Sequence, residues 1–181
     1  MDTIEIIAQI LGFLTILLGI LAYQVKTDKQ LLVVNLLDCG VFAAHYFLLG
    51  AIPGAVLNTV GVLRSLVYYH KDKSFYKPRL FPVIFAVLML SLGIWSSVAA
   101  GDGIYASLVI AGLVINTLCL SFKSAQHIRI SVLITCPMVL IYDVIVHSWG
   151  GAVYESVAIV SAIIGIIRYR EKKTAQAGKN D

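Results

Sequence analysis

Charge is scarce in this chain. Asp, Glu, Lys and Arg together make up 13% of its 181 residues, against 59% that are apolar, where soluble domains carry roughly 25% charge. A water-soluble core of this length could not hide so much apolar surface, so lipid is the expected solvent. Cysteine is scarce as well. Cys39, Cys119 and Cys136 are odd in number, lie inside apolar runs and lack zinc-ligand spacing, which argues against a disulfide framework or a metal site and leaves them as small packing residues. The chain has no phosphate-cradling glycine loop, His-Glu-x-x-His motif or Gly-x-Ser-x-Gly turn. Neither an enzyme nor a bound cofactor is expected.

What remains is a succession of apolar runs near the length of about 20 residues that a spanning helix needs. Seven spans are expected near 4–24, 31–50, 53–70, 80–100, 103–122, 128–147 and 150–168. The breaks are Lys26-Thr27-Asp28-Lys29, Gly50 to Gly54 with Pro53, Gly101-Asp102-Gly103 and His147-Ser148-Trp149-Gly150-Gly151. The first run is read as a span and not a signal peptide, because its flank, Met1 to Glu5, is acidic where a signal peptide is basic.

Cations fix a direction. Lys26 and Lys29, then Lys71, Lys73, Lys77 and Arg79, then Lys123 and Arg129, and finally Arg168, Arg170, Lys172, Lys173 and Lys179 all fall on one side of such a path. The segments around 1–3, 50–53, 101–103 and 147–150 hold no Lys or Arg. The positive-inside rule then sets the N-terminus outside and the C-terminus in the cytoplasm. The net charge of +4 is thereby explained by flanks near anionic headgroups, without nucleic acid. The lipid bilayer is the first expected partner, a small polar solute the second, and a homo-oligomer stays open.

A shift of 97 residues lays the first three runs over the last three without a gap. Lys26-Thr27 falls on Lys123-Ser124, Cys39 on Cys136, Gly54-Ala55-Val56 on Gly151-Ala152-Val153, Thr59 on Ser156 and Asn58 on Glu155. The expected architecture is an all-α membrane protein with two parallel three-helix repeats: 1–76, a linker helix in 77–102, a second repeat in 103–170, and a basic cytoplasmic tail in 171–181. This three-plus-one-plus-three order resembles the SWEET, PQ-loop and PnuC type of transporter, in which a Lys-Ser or Lys-Thr follows the first helix of each repeat. Tyr23-Gln24-Val25-Lys26, His45-Tyr46-Phe47-Leu48-Leu49-Gly50 and Asn58 through Arg64 resemble the bacterial inner-membrane YgjV family over nearly the whole chain. That resemblance implies the location and the fold. The chain departs from the transporter pattern in lacking a Pro-Gln dipeptide, and of the helix-bending prolines it keeps Pro137, with Gly40 at the equivalent position.

Ionisable groups in spanning helices usually face a bundle interior or a wet cavity. In the second run Asn35, Asp38 and His45 share a helical face. Gly54, Asn58, Gly61 and Ser65 make a stripe in the third, answered by Gly151, Glu155, Ala158 and Ala162 in the seventh; Ala8, Gly12, Thr15 and Gly19 give the first a small face for packing. Asn116, Thr135, Pro137, Tyr142 and Asp143 add further polar or hinge candidates. By position, the SWEET resemblance implies that Asn58 and Glu155 hold solute. Asp38, His45, Asp143 and Asn116 are the other candidate lining residues. Asp38 and Arg64 could instead neutralise each other, Glu155 could reach water, and His45 and Asn116 could bond neighbouring helices. Arg64, Asp38 and Pro137 are thus candidates for an ion pair or a gate. Trp95, Trp149, Tyr68, Tyr69 and Tyr169 read as interfacial aromatics. The leading expectation is a carrier of a small polar solute such as a sugar, vitamin or nucleoside. The alternative is an adaptor that works through a partner. An opsin is disfavoured, because residues 150–167 contain no lysine for a Schiff base.

Overall fold

In lipid, backbone N–H and C=O groups must find partners within their own segment, so apolar runs of this length become helices. The computed structural model describes residues 3–24, 28–119 and 125–177. Among these every regular element is helical: α1 Thr3–Gln24, α2 Asp28–Leu48, α3 Ile52–Tyr69, α4 Leu80–Ala100, α5 Ala106–Cys119, α6 Ala125–Ile145 and α7 Trp149–Ala177. The expected boundaries hold to within three residues, apart from the end of the seventh. The fifth helix starts three residues late, after a turn at Ile104-Tyr105. The seventh continues through the basic segment to Ala177, because Glu171 to Ala177 contains no glycine or proline to stop it. The Lys26-Thr27 and Lys123-Ser124 matches lie outside the described residues.

α2, α4 and α6 end alike. At Gly50 (φ 72°), Gly101 (φ 70°) and His147 (φ 57°) the chain turns left-handed, and the bonds around each make a Schellman cap. Gly50 N–H donates to Phe47 and Ala51 N–H to Tyr46; His147 N–H donates to Val144 and Ser148 N–H to Asp143. These two sets are the same bonds 97 residues apart. So are Ala55 to Ala51 and Ala152 to Ser148 on the backbone, and the side-chain bonds Thr59 Oγ1 to Ala55 O and Ser156 Oγ to Ala152 O.

Short connections make sequence neighbours antiparallel spatial neighbours. Each helix packs against the next, and α7 returns to α1, closing a ring. α4 sits between α3 and α5, which touch each other only thinly. The closing seam is tight. A Cβ on Gly150 would lie 2.3 Å from the backbone carbon of Gly12, and one on Gly19 would lie 2.6 Å from the Tyr154 ring. The small face of α1 is therefore used for packing.

The ring buries polar side chains among its apolar core and exposes large apolar ones. Thr15, Asp38, His45, Asn58, Arg64, Ser65, Thr117, Thr135, Asp143 and Glu155 are buried, while Ile7, Leu14, Leu17, Val83, Val87, Ile94, Val160 and Ile167 are exposed. Water would penalise such an outer surface, whereas lipid does not. α4 is the one helix among the described residues that is by itself long and apolar enough to cross a membrane. Tyr68 lies in the last turn of α3. It is buried, because it sits on the face of α3 that meets α4, where its ring packs edge-on against Phe85 and Tyr76. Trp95 and Trp149 are exposed as expected.

Lys29 and Asp72 join the start of α2 to the α3–α4 connection at 2.8 Å, with both side chains in solvent. The hydrogen bond and charge of Asp72 raise the Lys29 pKa above its ordinary 10.5, and the same bond lowers that of Asp72 below 3.8. The carboxylate's contribution is thus present above pH 3.8 and lost as pH falls through the depressed folded value. The ammonium's is present below 10.5 and lost as pH rises through the raised one. Solvent screening keeps the pair weak. Asp72→Asn should leave the melting temperature at pH 7 and physiological salt unchanged within error, and a detectable drop would show that the pair is a structural tie.

Candidate functional site

Two polar clusters lie inside the ring. The first is a cavity of about 210 Å³ between α1, α2, α3, α5, α6 and α7. α2 contributes Asn35, Asp38, Cys39, Phe42 and Tyr46 at helical spacing, and α3 contributes Asn58 and Arg64. α5 brings Asn116, α6 brings Thr135 and Cys136, and α7 brings Tyr154 and Glu155. Six pairs of lining residues stand 97 positions apart: Gly19 and Asn116, Asn35 and Val132, Asp38 and Thr135, Cys39 and Cys136, Phe42 and Val139, Asn58 and Glu155. Gly61 is bare because a Cβ there would lie 2.9 Å from Cys39 Sγ, which holds α2 and α3 together beside the cavity.

Hydrogen bonds satisfy part of this lining and leave part of it without partners. Arg64, only 2% exposed, donates to Thr117 Oγ1 at 2.8 Å and to Asn35 Oδ1 at 3.0 Å. Ser65 Oγ donates to the same Asn35 oxygen. Asn58 donates to Gly54 O of its own helix. Tyr154 OH donates to Asp38 Oδ2 at 3.1 Å, and Cys136 bonds the Glu155 carboxyl. Asp38 Oδ1, Glu155 Oε2 and Arg64 Nε have no hydrogen-bond partner among the described residues. The ion pair expected between Asp38 and Arg64 is not made; Arg64 reaches Asn35, about one turn nearer the start of α2.

The second cluster lies toward the Schellman turns of α2 and α6. His45 and Asp143 are completely buried there and do not line the cavity. His45 Nδ1 is 2.6 Å from Ala8 O, and Nε2 is 2.7 Å from Ser148 Oγ. A carbonyl only accepts, so Nδ1 carries the hydrogen, and a neutral ring then accepts from Ser148 through Nε2. Tyr46 OH donates to Asp143 Oδ1, and Tyr142 OH accepts from Gly54 N–H at 3.3 Å. Gly151 gives this cluster room, since a Cβ there would sit 2.7 Å from Asp143 Oδ2. His45 therefore bonds neighbouring elements, and Asp143 ties α6 to α2. Tyr46 and Asp143 occupy positions 97 apart and bond each other.

Asn58, Glu155, Asp38, Asn116 and Arg64 thus meet in one cavity. Pro137 lies within α6, next to the lining residue Cys136 but not in the lining itself. Phe42, Tyr46, Tyr154 and Thr117 were not legible as site residues. The signal for Tyr46 was its place 97 residues before Asp143; a buried tyrosine needs a partner for its hydroxyl.

No curated protein and no solved structure matches the chain. A family model described as Imp-YgjV, bacterial inner membrane protein, matches residues 6–173. An apolar outer surface is what such a location requires, and the chain belongs to this family of bacterial inner membrane proteins.

Proposed function

We propose that this protein is not an enzyme but a carrier of a small polar solute, held between two parallel three-helix repeats in a seven-span, N-out and C-in arrangement. The observation that carries the reading is the cavity itself, whose lining draws residues at matching repeat positions from both halves and contains buried polar atoms without partners. The recurrence of the α2 and α6 caps at the same offset supports the repeat. The ring has two seams between the halves, α1 against α7 and α3 against α5. Opening them alternately is the movement a SWEET-like carrier would use, with α4 spanning the thinner one.

A buried carboxyl oxygen or amide left unpaired costs about 1–3 kcal/mol, and a solute that bonds it recovers that cost. The expected result is a rise in melting temperature of the detergent-purified protein with one class among sugars, nucleosides, vitamins, amino acids and amines. At ~100 times its dissociation constant such a ligand adds about 2.7 kcal/mol. Glu155→Gln and Asn58→Ala should each abolish the rise. Liposomes containing the protein should then take up the same solute. If no solute either stabilises the folded protein or crosses, the carrier reading is wrong and the adaptor becomes the better one. A reporter fused after residue 181 that is active only in the periplasm would overturn the orientation.

A further inference from the structure

The chemistry of the cavity narrows the solute, on the assumption that the carrier reading above is right. Asp38 and Glu155 are each more than nine-tenths buried, and each presents one carboxyl oxygen with no partner. Arg64 is the one Lys or Arg in the lining, and its terminal nitrogens are spent on Thr117 and Asn35. The cavity therefore holds two acids against one base, and neither acid is paired with that base. A buried carboxyl group either takes up a proton or keeps its charge against a cation and hydrogen bonds, and a cationic solute favours the second state.

The rest of the wall suits an organic cation. Phe42, one turn beyond Asp38 on α2, lies 5.6 Å from the Tyr46 ring and 5.1 Å from the Tyr154 ring, the latter nearly perpendicular at 84°. All three line the cavity, and Tyr154 also bonds Asp38. Aromatic walls beside carboxylates attract ammonium groups, including those with methyl substituents that donate no hydrogen bond. A volume of about 210 Å³ has room for roughly seven waters at about 30 Å³ each. That is a solute of about as many heavy atoms, not an oligosaccharide.

We propose that the solute is a small organic cation, an ammonium compound held between Asp38 and Glu155 against the wall of Phe42, Tyr46 and Tyr154. Arg64 lines the same cavity with its terminal nitrogens bonded to Thr117 and Asn35 and its Nε without a partner, so glycine betaine tests whether it draws a carboxylate instead.

The test uses the whole chain in detergent and compares choline with 3,3-dimethyl-1-butanol, which has the same shape with carbon in place of nitrogen. Glycine betaine and sodium, all at matched ionic strength, are further arms. Choline is expected to raise the melting temperature and to bind at least about tenfold more tightly than its neutral isostere. Asp38→Asn and Glu155→Gln, which keep shape and lose charge, should each remove the choline shift. If either variant does not fold, the wild-type comparison decides, together with Phe42→Leu, which should weaken choline and leave sodium without effect. Equal binding of the neutral isostere, an equal shift with sodium, or a preference for betaine overturns the cation assignment and leaves a carrier of another class. Absence of any shift with every solute class, joined to absence of uptake, overturns the carrier reading with it.

Discussion

Gly150→Leu will keep α7 from seating on α1, and purified protein will melt far below the wild type or fail to fold. A Cβ at position 150 would lie 2.3 Å from Gly12 C, 2.6 Å from Gly12 Cα and 2.7 Å from Phe13 N. These are backbone atoms of a helix and have no rotamer by which to move away. Even alanine requires the two helix axes to part, at a cost of about 1–3 kcal/mol for overpacking. Leucine adds three carbons to the same gap. Separation would also strain the bond from Gln9 Nε2 on α1 to His147 O in the turn before α7. Gly40→Ala is the matched control, because nothing lies within 4 Å of a Cβ there. That change should stabilise α2 by about 0.5–1 kcal/mol through helix propensity. Thermal unfolding in one detergent measures all three. Equal melting temperatures for Gly150→Ala and Gly40→Ala would mean that the α1–α7 seam is not closed in solution.

The seam also marks the limit of what a sequence can convey. The helix count and most boundaries were legible, because apolar length and glycine or charge at the breaks are local properties. The small face of α1 was legible as packing, since Gly12 and Gly19 recur on one side. Its partner was not: nothing local to Gly12 names Gly150, and only the closure of the ring brings them together. The same division holds for the site. Asp38, Asn58, Asn116 and Glu155 stand out because a polar group in an apolar run is conspicuous, and the 97-residue shift pairs Asn58 with Glu155. His45 and Asp143 were equally conspicuous yet sit in a separate cluster, because hydrogen-bond partners such as Ala8 O and the Ser148 hydroxyl leave no mark on composition. Arg64 stood out as one possible partner for Asp38; its terminal nitrogens bond the neutral Asn35 and Thr117 instead.

Tyr46 carries the second large effect. It is 2% exposed, and its ring touches those of Phe42, His45 and Tyr142, while the missing side chain of Gly54 leaves space for it at 2.9 Å. Tyr46→Ala empties a volume that these neighbours cannot fill, and should destabilise by about 3–5 kcal/mol. Tyr46→Phe keeps the ring and isolates the hydroxyl, which donates to Asp143. Asp143 is fully buried, with the Ser148 hydroxyl as its other side-chain partner, so losing the tyrosine hydroxyl removes the donor to its Oδ1. The expected cost is about 1–3 kcal/mol. Asp143→Leu alone leaves the hydroxyl of Tyr46 unpaired, whereas Tyr46→Phe with Asp143→Leu leaves no polar atom of the pair behind. The double variant should therefore be more stable than the sum of the two single losses implies, by roughly the strength of one charge-assisted bond. That coupling energy measures how firmly α2 and α6 are tied at the level of the Schellman turns. Strict additivity in the cycle would mean that the bond does not form, and the first three helices would then be joined to the last three at that level by the α1–α7 packing and by the Gln9–His147, His45–Ser148 and Gly54–Tyr142 bonds.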